Sequence, residues 1–267
     1  MRGPLRRNIL VTGASGGLGL GMAREFAARG RNLALCARRA DRLAAVRAEL
    51  LERHPDIDVR ARRLDVTDPT AVATVFRGFH DLLGGLDRVV VNAGTGAGVP
   101  VGTGGVAVNR ATAETNFLGA LAQCEAAMEI FREQGYGHLV VIASVSALKG
   151  FPGGLTVYAA SKAAALHLAD GIRADVLHTD IRVSAILPGY IRSESNPHTG
   201  QRLARDTADG CRLLVRAIER EPARACVPAW PWSVLGLGLR IVPLRLTSRV
   251  GAVSRRASRP PTSTVVH

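Results

Sequence analysis

The sequence has few of the features that mark secreted or metal-binding proteins. It contains only four cysteines in 267 residues, and no two of them form a C-x-x-C pair. The basic start over residues 1–7 is followed by an apolar run that is too short for a signal peptide. We therefore expect reduced thiols in a cytoplasmic protein. His138, His167, His178 and His198 show no spacing typical of metal ligands, so no metal site is predicted.

Nucleic-acid-binding motifs are also missing. The net charge of +13 comes from arginines that are scattered along the chain, except near its C-terminus. Because no recognition motif accompanies them, we interpret this charge as a solvated surface rather than a nucleic-acid site. Aromatic residues make up only 4% of the chain, whereas hydrophobic residues reach 47%. Ala, Val, Leu and Gly supply most of this apolar content, which suits helices packed closely on a buried sheet.

The C-terminal part lacks a continuous apolar run. Residues 229–247 are apolar, but prolines and arginines interrupt them, so the segment is too short and too broken to predict a membrane span. Trp230, Trp232 and the arginines that follow leave three alternatives open: a cap on the substrate cleft, a dimer contact or a membrane-interfacial anchor. Residues 248–267 are rich in Arg, Ser, Pro and Thr and are expected to be disordered. One domain is predicted over residues 1–228.

What the sequence does contain is a regular alternation of strand and helix patterns. Strands are predicted at 8–12, 32–37, 58–64, 88–92, 138–143 and 182–187. Helices are predicted at 18–29, 41–53, 69–83, 111–133 and 158–178. Such alternation predicts an α/β fold: a single doubly wound Rossmann-type domain with a mostly parallel sheet of about seven strands and helices on both faces.

The first predicted strand leads directly into a glycine-rich turn. Residues 12–19 read T-G-A-S-G-G-L-G, which is the pattern T-G-x-x-x-G-x-G. Glycines permit a tight turn and let backbone N–H groups approach a pyrophosphate, and the N-terminus of the next helix adds partial positive charge. Because the turn lies between a strand and a helix, it indicates a dinucleotide-binding site.

This form of the turn resembles that of the short-chain dehydrogenase/reductase family, and the resemblance extends over roughly the first 220 residues. Asp65 and Val66 end the third strand, where the family has an Asp near the adenine. Residues 92–94 read N-A-G and resemble the family's N-N-A-G, with Val91 in place of its first Asn. The resemblance implies a nicotinamide cofactor and a small-molecule substrate.

The end of the second strand predicts which nicotinamide cofactor is used. An acidic residue there would accept hydrogen bonds from the ribose 2′-hydroxyl of NAD and would repel the 2′-phosphate of NADP. The chain instead has Arg38 and Arg39 at this position. A guanidinium binds a phosphate through two parallel hydrogen bonds, so the pattern favours NADP(H).

Tyr158 and Lys162 form a Y-x-x-x-K motif on a predicted helix. Residues four apart share a helix face, so both side chains are expected to point into one cleft. A free tyrosine has a pKa of about 10, and a nearby ammonium is expected to lower it. Tyr158 is then predicted to act as the general acid or base. The resemblance implies that Lys162 also holds the nicotinamide ribose.

The resemblance implies two further members of the catalytic set. Ser144 aligns with the serine that donates a hydrogen bond to the substrate oxygen, and Ser146 stays open as the alternative, because the segment from Ser144 to Tyr158 is one residue longer than usual. Asn116 matches the asparagine that bends its helix locally and holds a water for the proton relay.

The loop after the sixth strand reads P-G-Y-I-R-S over residues 188–193 and resembles the loop that cradles the nicotinamide carboxamide. Ile191 and Ser193 would make those contacts. A mobile substrate lid is predicted over 190–210. The predicted cofactor-binding residues are Gly13, Ser15, Gly17, Leu18, Gly19, Arg38, Arg39, Asp65, Val66, Asn92, Ala93, Gly94, Tyr158, Lys162, Pro188, Gly189, Ile191 and Ser193.

These features together predict an NADP(H)-dependent oxidoreductase that passes a hydride between nicotinamide and a carbonyl or secondary alcohol. One alternative is a catalytically idle NADP-binding sensor or scaffold protein, and the other is an epimerase or dehydratase of the same superfamily. A homo-oligomer is expected. An interfacial segment at 229–247 would add peripheral membrane contact and bring the site to a lipid-like substrate.

Overall fold

Short strands rich in Val, Leu, Ile and Ala lie side by side in one sheet. The computed structural model describes residues 5–191, 206–232 and 238. Within them the strands are β1 Asn8–Thr12, β2 Asn32–Ala37, β3 Val59–Arg63, β4 Arg88–Val91, β5 Tyr136–Ile142, β6 Asp180–Pro188 and β7 Arg224–Val227. Their order is β3-β2-β1-β4-β5-β6-β7, and every neighbouring pair is parallel. The predicted doubly wound fold is confirmed.

Helices cover both faces of this sheet. They are α1 Gly17–Ala27, α2 Ala40–Arg53, α3 Pro69–Leu83, α4 Val106–Ala113, α5 Gly119–Gln134, α6 Thr156–Asp175 and α7 Thr207–Ile218. The start of α3 shows how the sequence sets a helix boundary: the Asp68 carboxylate accepts a hydrogen bond from Ala71 N, and proline follows at the first position. Gly84 ends the helix with a φ of +69°, which glycine adopts readily. None of the helices in the described ranges is long and apolar enough to cross a bilayer.

The apolar residues form two buried clusters, one on each face of the sheet. The first includes Phe76 of α3, Phe131 of α5 and Leu166 of α6. The second packs α1, α2 and α7 against the opposite face and includes Phe26 and Leu214. Both faces are covered, so the inner strands β1, β2, β4 and β5 are mostly apolar rather than alternating, whereas the edge strand β3 carries three arginines.

The strand order reverses between β1 and β4, and this reversal positions the functional site. Chains leaving β1 and β4 turn to opposite faces, which opens a crevice at the carboxyl ends of the strands. The Thr12 hydroxyl holds the two strand ends together, because it accepts hydrogen bonds from the backbone N–H groups of Asn92 and Ala93, both at 3.0 Å. The Asn92 side chain donates in return to Thr12 O at 2.8 Å.

The structure differs from the sequence predictions at three places. The helix predicted at 111–133 is α4 and α5 joined by a π-helical turn, Glu114–Leu118. No strand or helix was named at the positions of α7 and β7, although about seven strands were expected. Residues 207–210 of the predicted lid over 190–210 lie in α7, where Gly210 is buried. The rest of that lid and the predicted disordered tail lie outside the described residues, apart from Tyr190, Ile191 and Asp206.

A second polar cluster lies at the amino ends of the strands. We call it the amino-edge network, and its members are Arg6, Arg88, His138, Ser184 and Glu221. The Glu221 carboxylate is 2.8 Å from Arg6 Nε and 3.2 Å from Arg88 Nη2. Arg88 Nε donates to His138 Nδ1 at 2.8 Å, and His138 Nε2 lies 2.8 Å from Ser184 Oγ. Burial, and then the positive charges of Arg88 and Arg6, hold the pKa of His138 well below its ordinary value, so the ring stays neutral.

Candidate active site

The glycine-rich turn between β1 and α1 is shaped by close approach of its own backbone. Gly13 has a φ of +66° and Gly17 a φ of +54°, both in the left-handed region that favours glycine. A Cβ on Gly19 would overlap the carbonyl of Gly13. Helix α1 begins inside the turn with no side-chain cap and no acidic residue in its first turn. Its first N–H groups therefore face the crevice as an anion site.

Arg38 and Arg39 follow β2 and are both exposed, but they differ in their contacts. Arg39 reaches the glycine-rich turn and donates to Ser15 Oγ at 3.2 Å and to Ser15 O at 3.3 Å. Within the described ranges Arg38 makes no hydrogen bond or ion pair and lies near Asp65. Burial by itself raises the pKa of Asp65, but the hydrogen bonds from Thr67, together with Arg38 and Arg63, outweigh burial and lower that pKa. Arg38 is the freer of the two arginines to bind an anion.

Several of the predicted cofactor residues use their side chains for packing. Val66 is buried, and its side chain lies against Gly119 of α5. Ile191 is buried against Gly210 of α7, where a Cβ on the glycine would overlap it. Contacts from Val66 and Ile191 to a cofactor would therefore come from their main chains. Ser193 lies outside the described residues.

Tyr158 and Ser144 meet at the carboxyl end of β5. Tyr158 is the third residue of α6, and the Ser144 side chain lies close enough to its hydroxyl to act on the pKa of Tyr158 in the lowering direction. The Ser144 hydroxyl also accepts a hydrogen bond from Ser146 N at 3.1 Å. Ser146 itself lies in the short 3₁₀ helix Val145–Leu148. The geometry favours Ser144 over Ser146 as the partner of the tyrosine.

Lys162 lies one helical turn after Tyr158 and is buried. Its ammonium donates to the carbonyl of Ile142 at 2.8 Å. A Cβ on Gly94 would lie 3.5 Å from Lys162 Nζ and 2.9 Å from Asn116 Oδ1. The segment after β4 therefore meets the π-helical turn and α6 at this point, next to the glycine-rich turn.

The ionisation of this pair departs from the sequence expectation. The ammonium was expected to lower the pKa of Tyr158, yet that pKa is raised. Burial is the largest cause, and it outweighs the hydrogen bond from Ser144, which acts in the lowering direction. Burial also lowers the pKa of Lys162 to about 8, because its charged form is desolvated. The expectation was wrong because it counted the charge of the lysine but not the cost of burying both groups.

Asn116 lies in the π-helical turn, as expected for a local helix distortion, and is 1% exposed. Its side chain donates to Thr95 O at 2.8 Å and to Ser161 Oγ at 3.2 Å, and it accepts from Thr95 N at 2.8 Å. Ser161 donates in turn to the carbonyl of Tyr158 at 2.8 Å. Asn116 is thus connected through Ser161 to the helix that carries Tyr158.

Sequence reasoning missed Thr12, Thr95 and Ser161, which connect the named residues. Ser161 was inside the quoted Y-x-x-x-K motif, and its small polar side chain next to the lysine was the available signal. Thr12 stood at the start of the glycine-rich turn. Thr95 gave no signal, because its contact is made by the main chain.

Comparisons with known proteins agree with this geometry. The family model described as short chain dehydrogenase matches residues 7–204. An uncharacterized oxidoreductase of Mycobacterium tuberculosis is 50% identical over 250 residues, which are 93% of this chain and 99% of that protein.

Two solved structures are similar in fold and sequence. An alcohol dehydrogenase from the archaeon Thermococcus sibiricus, complexed with 5-hydroxy-NADP, matches with a TM-score of 0.73 and 26% identity, over 82% of this chain and 95% of that one. An NAD⁺-bound xylitol dehydrogenase matches with a TM-score of 0.66 and 30% identity, over 70% of this chain and 71% of that one.

Proposed function

The chain belongs to the short-chain dehydrogenase/reductase family of oxidoreductases, which use a nicotinamide cofactor, and from this premise we propose a specific activity. The protein is an NADP(H)-dependent enzyme that transfers a hydride between nicotinamide and a carbonyl or secondary alcohol. Tyr158 is its general acid or base, Ser144 binds the substrate oxygen, and Lys162 and Asn116 complete the set.

The observation that carries this proposal is the contact between Tyr158 and Ser144 beside Lys162. The Ser144 side chain lies close enough to the Tyr158 hydroxyl to lower its pKa, and both groups lie at the carboxyl ends of the strands, where this fold binds ligands. A role in binding alone places no demand on a tyrosine hydroxyl at this point. The arrangement therefore favours an enzyme over an idle sensor or scaffold protein.

The proton chemistry follows from the shifted pKa values. Bound nicotinamide supplies or accepts the hydride. The raised pKa of Tyr158 keeps its phenol protonated near neutral pH, so the phenol is ready to donate a proton to a carbonyl oxygen. Ser144 donates a second hydrogen bond to the same oxygen as negative charge develops there. Lys162 lies on the same helix face and would hold the nicotinamide ribose. This arrangement supports the reductive direction.

The residues at the glycine-rich turn fit a phosphorylated dinucleotide. The uncapped start of α1 offers N–H groups to a pyrophosphate, and Arg38 is exposed next to the end of β2. An arginine at this position suits the 2′-phosphate of NADP. Among the similar structures, one is complexed with 5-hydroxy-NADP and another is NAD⁺-bound, so the preference for NADP(H) depends on the arginines.

Steady-state assays separate the proposed enzyme from a binding protein. Purified protein is mixed with NADPH and a panel of ketones and aldehydes, and the loss of reduced cofactor is followed. We expect turnover with at least one carbonyl compound. Tight NADPH binding without turnover across the panel would instead support the idle sensor or scaffold.

Cofactor titration tests the choice of NADP(H). Arg38→Ala removes a charge-assisted contact worth roughly 1.5–3 kcal/mol, so NADPH affinity should fall about 10- to 100-fold while NADH affinity stays the same. Arg53→Ala, at an exposed position in the last turn of α2, is the matched control. Equal affinity of the wild type for NADPH and NADH would contradict the choice.

The expected homo-oligomer, cytoplasmic location, lipid-like substrate and peripheral membrane contact stay predictions. Sedimentation with and without anionic liposomes at low salt tests the membrane contact. A protein that stays in the supernatant would leave the cap and the dimer contact as the alternatives for 229–247.

A further inference from the structure

Trp232 returns to the carboxyl edge of the sheet after β7 has ended at Val227. It is 6% exposed and belongs to the buried cluster that includes Leu166 and Leu187. Its indole lies against Gly189, the residue directly after β6. A Cβ on Gly189 would overlap indole atoms Nε1, Cδ1 and Cε2. The N–H edge of the ring therefore faces the Pro188-Gly189 turn.

Tyr190 connects this indole to the catalytic tyrosine. The rings of Tyr190 and Trp232 pack edge to face, with centroids 5.2 Å apart and planes at 60°. Tyr190 also contributes to raising the pKa of Tyr158, after burial has made the larger contribution, so the two phenols interact electrostatically. Trp232 thus packs on a residue whose ring acts on the proposed proton donor.

The indole N–H of Trp232 has no hydrogen-bond partner among the described residues, although the atom is buried. A buried donor without a partner is costly, and in most folded proteins such groups are paired. Trp230 provides the contrast, because it is 75% exposed and its N–H needs no protein partner. The unpaired donor therefore points to a ligand that brings an acceptor to the Gly189 turn.

We propose that Trp232 is a positioning residue whose indole N–H donates a hydrogen bond to the carboxamide oxygen of the bound nicotinamide. The donor lies against Gly189, whose missing side chain lets the indole come close to the turn after β6, and it packs on Tyr190, on the side of the site where Tyr158 and the reactive ring must be. The inference rests on the nicotinamide cofactor of the proposed function, but not on the choice between NADP and NAD.

Two phenylalanine variants and two kinds of ligand test this role. Trp232→Phe keeps an aromatic ring and deletes the N–H, and Trp230→Phe is the matched control on the exposed neighbour. NADPH and NADH are titrated beside 2′-phospho-ADP-ribose and ADP-ribose, which lack nicotinamide. In Trp232→Phe the Kd of each dinucleotide that the wild type binds should rise roughly two- to tenfold, as expected for one neutral hydrogen bond. The Kd of the nicotinamide-free fragments should not change.

The melting temperature of the free protein gives an independent readout. Deletion of the unpaired donor offsets packing that the smaller ring loses, so free Trp232→Phe should melt close to the wild-type temperature, and NADPH should raise that temperature less than it does in the wild type. Lower stability with unchanged dinucleotide affinity would show a purely structural tryptophan and overturn the proposal. An equal loss of affinity for the dinucleotides and for the nicotinamide-free fragments would overturn the proposal as well. A wild type that binds neither class of ligand would instead contradict the proposed function.

A measurement on the wild-type chain covers the case in which the variant does not fold. The chain has two tryptophans, so ¹⁵N-labelled protein gives two indole N–H resonances, and Trp230→Phe assigns them. Addition of NADPH should shift the Trp232 resonance downfield and slow its exchange with solvent. An upfield or absent shift, with exchange as fast as before, would overturn the assignment.

Discussion

The two edges of the sheet both bury polar groups, but they treat charge in opposite ways. At the amino edge, Glu221 lies between two arginines, and Arg88 also donates to a neutral His138. At the carboxyl edge, no acidic residue among the described positions pairs with Lys162, whose ammonium is bound to a backbone carbonyl. At the amino edge a buried negative charge is paired with the buried positive charges. At the carboxyl edge the buried positive charge of Lys162 has no such partner among the described residues.

This difference indicates what each edge is for. Burial lowers the pKa of Arg88 to about 10, and Glu221 opposes that shift, so the guanidinium stays charged near neutral pH. Burial lowers the pKa of Lys162 to about 8, and no nearby charge opposes it. Perturbed groups of this kind mark functional sites, and they cost folding free energy. The amino edge should therefore govern stability and the carboxyl edge activity.

The largest effect is expected from Tyr158→Phe. This variant removes one hydroxyl and keeps the ring, so turnover should fall about 10²- to 10⁴-fold, the usual contribution of general acid catalysis. NADPH affinity and the free energy of unfolding should stay close to the wild-type values. Steady-state kinetics measures the turnover, and calorimetry on the same preparation measures the NADPH affinity and the stability. Near-wild-type turnover would show that the proton donor lies elsewhere.

Glu221→Gln should give the reverse outcome. It leaves the buried Arg6 and Arg88 without their anion, so the free energy of unfolding should fall by about 3–5 kcal/mol. The turnover per folded molecule should not change. Glu219→Gln, two residues away in a partly exposed ion pair, should cost at most about 1 kcal/mol. Chemical denaturation measures the free energy of unfolding of both variants. An equal loss in the two variants would contradict the conclusion that the amino edge governs stability.

A smaller effect is expected from pH. As pH rises through about 8, Lys162 loses its proton, so kcat/KM for carbonyl reduction should fall about tenfold per pH unit above that value. The free energy of unfolding, in contrast, should rise over the same pH range. The cost of the buried ammonium is fully present below pH 8 and is relieved between pH 8 and the ordinary value of 10.5.

Lys162→Met tests the predicted pH dependence of stability separately from that of the rate. It should be inactive, and at pH 7 it should be at least as stable as the wild type. This stability difference should shrink between pH 8 and pH 10. A flat rate profile from pH 7 to pH 10, or a difference that grows with pH, would contradict the assignment of this pKa to Lys162.

Most of the fold was predictable because its signals are local. β1, β2 and α3 were predicted with the bounds they have, since each is a periodic run closed by a turn residue or a cap. β7 was missed because it is a four-residue edge strand with only Val227 buried. The return of Trp232 to Gly189 depends on packing between distant parts of the chain, which no local pattern reveals.

The candidate site was predictable as a set of residues but not in its electrostatics. The spacing of Tyr158 and Lys162 placed them on one helix face, as the structure has them. The direction of the pKa shift of Tyr158 depends on how deeply α6 packs against the rest of the site. The contact of Arg39 with Ser15 likewise depends on the tertiary structure, because it joins two separate turns.

The most direct test of the account follows the hydrogen itself. NADPH carrying deuterium at nicotinamide C4, prepared separately in each stereochemical form, is incubated with the wild type and the carbonyl panel, and the alcohol products are analysed by mass spectrometry. We predict that deuterium from one of the two forms appears on the former carbonyl carbon, and that Tyr158→Phe still binds NADPH but slows this transfer about 10²- to 10⁴-fold. Alcohol formed without deuterium from either form, or equal transfer by Tyr158→Phe, would contradict hydride transfer at this site.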